Sequence, residues 1–161
     1  MIRKVIWYIV MIFVSFSLQI SQVNAYKSVK RNMLIGDSHA GGLKPYLQKR
    51  MSVRYKNGTT AEYWLRQSPV YGLDKLYILT GTNEQFNGTS PSVWMRQVNA
   101  ICAKWNPRSC IVVSPPPNRK RNYNAYWSAI NRPAVWLTGG QMTKDGVHYT
   151  GNTYRNWSGK F

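Results

Sequence analysis

The sequence predicts an α/β fold, a three-layer sandwich in which a parallel sheet of about five strands is covered by helices on both faces. Two observations carry this. Short apolar runs with strand character alternate with amphipathic, helix-like stretches through most of the chain, the pattern of a parallel sheet with helical crossovers. Several of the apolar runs also stop at Gly, Asn or Ser, where a strand hands over to a turn.

The elements follow in order. An apolar run over 32–35 reads as the first strand and ends in Gly36-Asp37-Ser38, with a helix expected over 40–50. A second strand over 52–56 leads into Asn57-Gly58-Thr59-Thr60 and a helix over 60–67. The third strand, 75–80, runs into Gly81-Thr82-Asn83-Glu84. Ser90 as N-cap and Pro91 at the first helical position open a helix over 91–105, which Pro107 helps to stop. A fourth strand over 110–114 exits through Pro115-Pro116-Pro117, an extended segment crossing the sheet rim. A helix over 123–131, a short fifth strand over 135–137 and a last helix over 151–159 complete the chain.

In sheets of this kind ligands bind beyond the carboxyl ends of the strands, where strand order switches. Ser38, Gly58, Asn83 and Ser114 all fall at or just after such ends and should gather along one rim. Singly, each has a structural reading. Ser38 could be a helix N-cap, Asn83 a turn residue and Asp145-Gly146 an ordinary turn. Together, and in this order beside strand ends, they read as a site. Ser38 at a strand-to-helix turn, near the positive end of a helix dipole, is placed as a nucleophile would be.

The first 25 of 161 residues have the layout of an export signal. Arg3 and Lys4 precede an uncharged apolar stretch from Val5 to Leu18, and Val23-Asn24-Ala25 supplies small residues for cleavage. The stretch is short of the roughly 20 residues that span a bilayer, so cleavage after Ala25 is expected, with a retained membrane anchor as the alternative. Residues 26–161 then form one domain, secreted or periplasmic. Losing Arg3 and Lys4 takes the net charge from +17 to +15. Against 22 Lys and Arg there are five acids, Asp37, Glu62, Asp74, Glu84 and Asp145. Three of them lie in the motifs above. Such a surface attracts polyanions, and export points to an anionic cell-envelope polymer rather than nucleic acid. A solvated basic surface that binds nothing specific is the plainer reading. Arg119-Lys120-Arg121 is a basic tripeptide in an expected loop.

Cys102 and Cys110 are the only cysteines. In an exported chain they suggest a disulfide joining a helix end to the next strand; two buried thiols are the alternative. Their spacing, with no nearby His, argues against a metal site. No cofactor is expected.

The motifs resemble those of the SGNH (GDSL) hydrolases. The first block is Gly36-Asp37-Ser38, the second Asn57-Gly58-Thr59-Thr60, the third Gly81-Thr82-Asn83-Glu84 and the fifth Asp145-Gly146-Val147-His148. Val112-Val113-Ser114-Pro115-Pro116 and the Tyr149–Tyr154 continuation are softer likenesses, and Gly58 is the weakest match. The resemblance spans roughly 32 to 157 and implies a flavodoxin-like sheet. It also implies a serine esterase in which Ser38 attacks an acyl carbonyl, His148 takes its proton and Asp145 holds the imidazole. The Ser38 and Gly58 amides and the Asn83 side chain would donate to the oxyanion. Asp37 is expected to brace the turn. His39, adjacent to Ser38, competes for the base role less well than His148, because adjacent helical side chains diverge.

The chain is compact for this family, so a shallow cleft is expected, suited to small acyl groups on an acylated glycan. Exposed Trp64, Trp94 or Trp127 could stack on sugar rings, although most aromatics should be core. Two other functions remain open. One is a non-catalytic module, structural or particle-associated, that adheres to anionic envelope polymer. The other is an O-acyltransferase sharing the same acyl-enzyme. Five acids offer no suitable carboxylate pair for cutting the glycan backbone.

Overall fold

A computed structural model describes residues 31–121 and 123–161. The export segment expected over residues 1–25 lies outside the described residues. Five strands, β1 (Asn32–Gly36), β2 (Ser52–Tyr55), β3 (Lys75–Leu79), β4 (Ser109–Val113) and β5 (Ala134–Val135), form one sheet in the order β2-β1-β3-β4-β5. Every pairing is parallel. The chain moves outward from β1 to β2, returns to β3 on β1's other side, and continues to β4 and β5. The switch in direction therefore lies between β1 and β3, the strands that lead into the helices bearing Ser38 and Asn83. This is the flavodoxin-like three-layer arrangement expected.

Alternation along the strands divides the core. Met33, Ile35, Leu76, Ile78, Cys110 and Val112 face one way, where they pack with Trp64 of α2 (Ala61–Arg66). Trp94, Val98, Ile101 and Trp105 of α4 (Pro91–Trp105) and Tyr126 of α5 (Asn124–Ser128) complete that layer. Leu34, Tyr77, Leu79 and Val113 face the other way, against Leu43 and Leu47 of α1 (Ser38–Leu47) and Tyr154 and Trp157 of α6 (Gly151–Ser158). Burying both faces explains why the strand sequences read as continuous apolar runs.

The expected helix starts are met where a cap exists. Ser90 Oγ accepts from Val93 N and Pro91 occupies the first turn of α4. One helix went unexpected, α3 (Thr82–Asn87), a single polar turn between Gly81 and Gly88, both with positive φ. Thr-Asn-Glu-Gln-Phe-Asn has no apolar stripe to announce it. The helix expected over 123–131 shortens to α5 ahead of Pro133, and β5 is only two residues long. Cys102 and Cys110 form a disulfide between the last turn of α4 and β4, as expected from their number and not from their spacing. Among the described residues no helix is long and apolar enough to cross a membrane.

Candidate active site

β1 ends at Gly36 because the chain there passes hard against β3: a Cβ on Gly36 would lie 2.3 Å from Leu79 O. The next amide, Asp37 N, bonds Leu79 O (3.2 Å), and α1 starts at once. Asp37 is the N-cap, its Oδ1 accepting from His39 N (2.9 Å). Ser38 is thus the first helical residue, half-buried. Its amide is among those that a helix start leaves without an intrahelical acceptor.

The Asp145–His148 turn comes to meet it. Asp145 Oδ1 accepts from Thr143 Oγ1 (2.7 Å), Val147 N (2.9 Å) and His148 N (2.9 Å). Its Oδ2 faces His148 Nδ1 at 2.6 Å. The His148 bond first, then those backbone amides and the Thr143 hydroxyl, hold the Asp145 carboxyl well below the usual range. An ionised carboxylate can only accept, so Nδ1 carries the proton and donates it to Asp145. That leaves the Nε2 lone pair facing Ser38 Oγ, which donates to it at 2.9 Å. The structure therefore joins Ser38, His148 and Asp145 in one chain of hydrogen bonds. The His148 and Asp145 side chains remain 43% and 47% exposed, so the centre lies open at the rim.

His39 has no part in that chain. It is fully buried, its Nδ1 bonded to Tyr154 OH (2.9 Å) and its ring centroid 5.4 Å from that of His148. Burial first, then the neighbouring His148, pushes its pKa down to about 3, so it is a neutral packing ring.

For the expected oxyanion donors the picture differs from expectation. Gly58 sits in the exposed turn after β2 with φ +71° and no atom within 4 Å of where a Cβ would be. The loop is tied to the end of β1 by Lys56 N to Gly36 O (3.1 Å). Asn83 lies in α3, where Nδ2 donates to Thr59 O (2.9 Å) and reaches Asp37 Oδ2 at 3.4 Å. No hydrogen bond links Gly58 or Asn83 to Ser38 among the described residues. The three expected oxyanion donors thus share a rim, but the Asn83 amide is committed to Thr59 O of the neighbouring loop and to Asp37 Oδ2. The geometry makes it a clasp between α3 and the Gly58 loop.

Glu84 stands out in the sequence as one of the three acids inside the motifs, but without a named role. It is fully buried, with Oε2 accepting from Gly81 N (2.7 Å) and Oε1 from Ala61 N. It pins the starts of α2 and α3 together, and burial raises its pKa. An acid three residues after a helix-opening Gly was the available signal. Asp37 is likewise pushed up, to about 8, by burial first and by Glu84 as a like charge. Ser114, expected at the rim, is buried and its Oγ accepts from Leu137 N (2.8 Å) to hold the chain leaving β5. Trp64 and Trp94 are core residues, while Trp127 is half-buried.

No family model matches the chain, and no curated protein does. Solved structures do. A putative lipolytic protein of the G-D-S-L family from Desulfitobacterium hafniense superposes with a TM-score of 0.63 at 12% identity, covering 80% of this chain and 95% of that one. A carbohydrate esterase family 3 protein from Talaromyces cellulolyticus gives 0.61 at 14%, covering 80% and 92%. An acetyl esterase variant crystallised with acetate gives 0.60 at 14%, covering 81% and 93%. At these identities the likeness concerns the fold.

Proposed function

This chain has the SGNH (GDSL) hydrolase fold, and we propose that it is an exported serine esterase that removes small acyl groups, acetyl above all, from cell-envelope glycans. The observation that carries the reading is the 2.9 Å contact of Ser38 Oγ with a His148 whose far nitrogen is held by Asp145. In the first step Ser38 Oγ bonds to the ester carbonyl carbon as its proton passes to His148 Nε2. The carbonyl π electrons move onto oxygen, facing the Ser38 and Gly58 amides, neither of which has another acceptor among the described residues. Collapse expels the sugar alkoxide, which takes the proton from His148. Water then loses a proton to His148 and attacks the acyl-enzyme, and Ser38 leaves reprotonated with the carboxylic acid as product.

Asn83 shapes this oxyanion site by holding the Gly58 loop through Thr59 O, and donates to the oxyanion itself by giving up its long 3.4 Å contact with Asp37 Oδ2. The openness of the centre favours an ester carried on a polymer over a long acyl chain needing a deep apolar slot. Fold neighbours described as an acetyl esterase and a carbohydrate esterase point the same way. The test is release of p-nitrophenol from p-nitrophenyl acetate by residues 26–161, abolished in Ser38→Ala. Absence of release across mildly acidic to mildly alkaline pH sinks the reading. A non-catalytic module binding anionic polymer is the second reading, favoured by the +17 charge; its binding would survive Ser38→Ala.

A further inference from the structure

Every side-chain carboxylate of this chain is already committed. Asp37 and Glu84 are buried, Glu62 pairs with Arg66, Asp74 with Arg108 and Asp145 with His148. None is left for the cations gathered beside the site. Arg119, Lys120, Arg121 and Lys144 are exposed, and none has a carboxylate in ion-pair range among the described residues. Their charge awaits an anion from outside.

The segment that carries three of them is locked to the catalytic loops. Arg119 N bonds Gly146 O (3.0 Å), and the Lys120 side chain lies over Gly146, two residues before His148. Lys120 N bonds the buried Asn118 Oδ1 (3.1 Å), whose amide in turn donates to Gln85 Oε1 of α3 (3.1 Å). Arg121 stacks over Phe86, 5.2 Å from its centroid. The basic tripeptide therefore bridges the loop bearing His148 and the helix bearing Asn83. The same connection continues into an aromatic ladder. Tyr123 meets Trp127 edge-on at 5.0 Å, and Trp127 meets Trp136 at 5.5 Å. Trp127 is anchored by Nε1 to Pro115 O (2.8 Å), and Trp136 is 41% exposed.

Resting on the esterase reading, we propose that this connection is an extended subsite for an acidic glycan. Its carboxylates engage Arg119, Lys120, Arg121 and Lys144, its sugar rings lie on Tyr123, Trp127 and Trp136, and its ester reaches Ser38. Fixed cations beside flat rings fit a chain that alternates charge with apolar sugar faces. Paired with an ester-cleaving centre, that chemistry is a polyuronate carrying acyl groups, not a neutral one.

The test compares kcat/KM on O-acetylated polygalacturonate, acetylated xylan and p-nitrophenyl acetate. The acidic polymer should be preferred over xylan at low salt, with the preference falling as NaCl screens the cations. In the triple variant Arg119→Gln/Lys120→Gln/Arg121→Gln, the ratio of polygalacturonate to small-ester kcat/KM should fall about tenfold through KM. Trp136→Ala, an exposed site, should lower the same ratio and keeps the test alive if the triple variant misfolds. Equal use of xylan and polygalacturonate, or ratios unmoved in both variants, overturns the proposal. If the wild type cleaves no ester at all, the esterase reading falls. Deacetylated polygalacturonate, titrated by tryptophan fluorescence, then tests the surface alone and should bind more weakly to both variants. Tighter binding of single-stranded oligo(dT), lost in the same variants, would reassign the surface to nucleic acid.

Discussion

Asp37→Asn isolates the cost of keeping a carboxyl buried beneath the site. Asp37 is fully buried and its pKa is pushed from 3.8 to about 8, chiefly by burial and further by Glu84. The folded protein therefore keeps a proton that the unfolded chain releases near pH 4. Between those values the native state binds more protons, so stability falls as pH rises, by about 1.4 kcal/mol per unit for this group. It is fully present below pH 4 and fully lost above pH 8, a difference of about 6 kcal/mol. That is a large share of the 5–15 kcal/mol typical of a domain. Asn keeps an Oδ1 acceptor for His39 N and caps a helix as well as Asp does, but it carries no proton to lose. Urea unfolding of both proteins at pH 5, 7 and 9, at fixed ionic strength, reads the difference directly. Titrating groups that do not interact with Asp37 contribute to both proteins and largely cancel, while the variant also relieves Glu84 of its repulsion from Asp37. The variant should match or trail the wild type at pH 5 and exceed it clearly at pH 9. A difference that does not change with pH would refute the reasoning, as would a wild type that gains on its variant in alkali.

Asn83→Ala removes an amide donor and the clasp on Thr59 O. Steady-state turnover of p-nitrophenyl acetate should drop about a hundredfold in kcat, near 3 kcal/mol; a loss confined to KM would contradict that role. Glu84→Gln turns one carboxylate oxygen into a donor facing the buried amide of Ala61 or Gly81. At pH 7 it should cost about 2–4 kcal/mol by urea midpoint, and a neutral result would show that another group satisfies those amides. Cys102→Ala/Cys110→Ala opens a small loop whose closure stabilises by about 2–3 kcal/mol in the chain-entropy view. Its urea midpoint should fall while folded enzyme keeps its turnover, since the bond lies between α4 and β4 away from Ser38.

What the sequence made legible was whatever a long apolar run or a rigid residue announces. The strands buried on both faces, the Ser90-Pro91 helix start and the order of the blocks were visible because each is local. Ser38, His148 and Asp145 could be named singly; their meeting depends on the β1–β3 switch, which strand alternation also implied. Where reading failed, the deciding contact was tertiary. α3 has no apolar stripe, its one apolar residue, Phe86, being exposed, and exists because Glu84 caps it from within while gripping Ala61 N across the sheet rim. Asn83 was expected as a bare oxyanion donor, yet its partner Thr59 O lies 24 residues away. Trp64 and Trp94 were indistinguishable by type from Trp127, and only packing decided which were core.

The tether on Asp145 gives a sharper measure of how much of the site is redundant. Thr143 Oγ1 donates to Asp145 Oδ1 and also lies 3.3 Å from His148 O. Yet Asp145 Oδ1 has two further donors in the Val147 and His148 amides, and Thr143 N independently bonds His148 O (2.9 Å). Backbone geometry alone can therefore hold the carboxylate beneath the imidazole. Thr143→Val, close in shape but without the hydroxyl, should lower kcat on p-nitrophenyl acetate only a few-fold, the worth of one exposed hydrogen bond of about 1 kcal/mol. Asp145→Asn should cost far more, because it removes the charge that fixes the Nδ1 proton and stabilises the imidazolium, about ten-thousandfold where a triad operates. If the two variants were equally impaired, the turn would be held by the Thr143 side chain and not by its backbone. A mild Asp145→Asn would mean that His148 is oriented by something other than this carboxylate, and the proton path drawn from Ser38 would have to be abandoned.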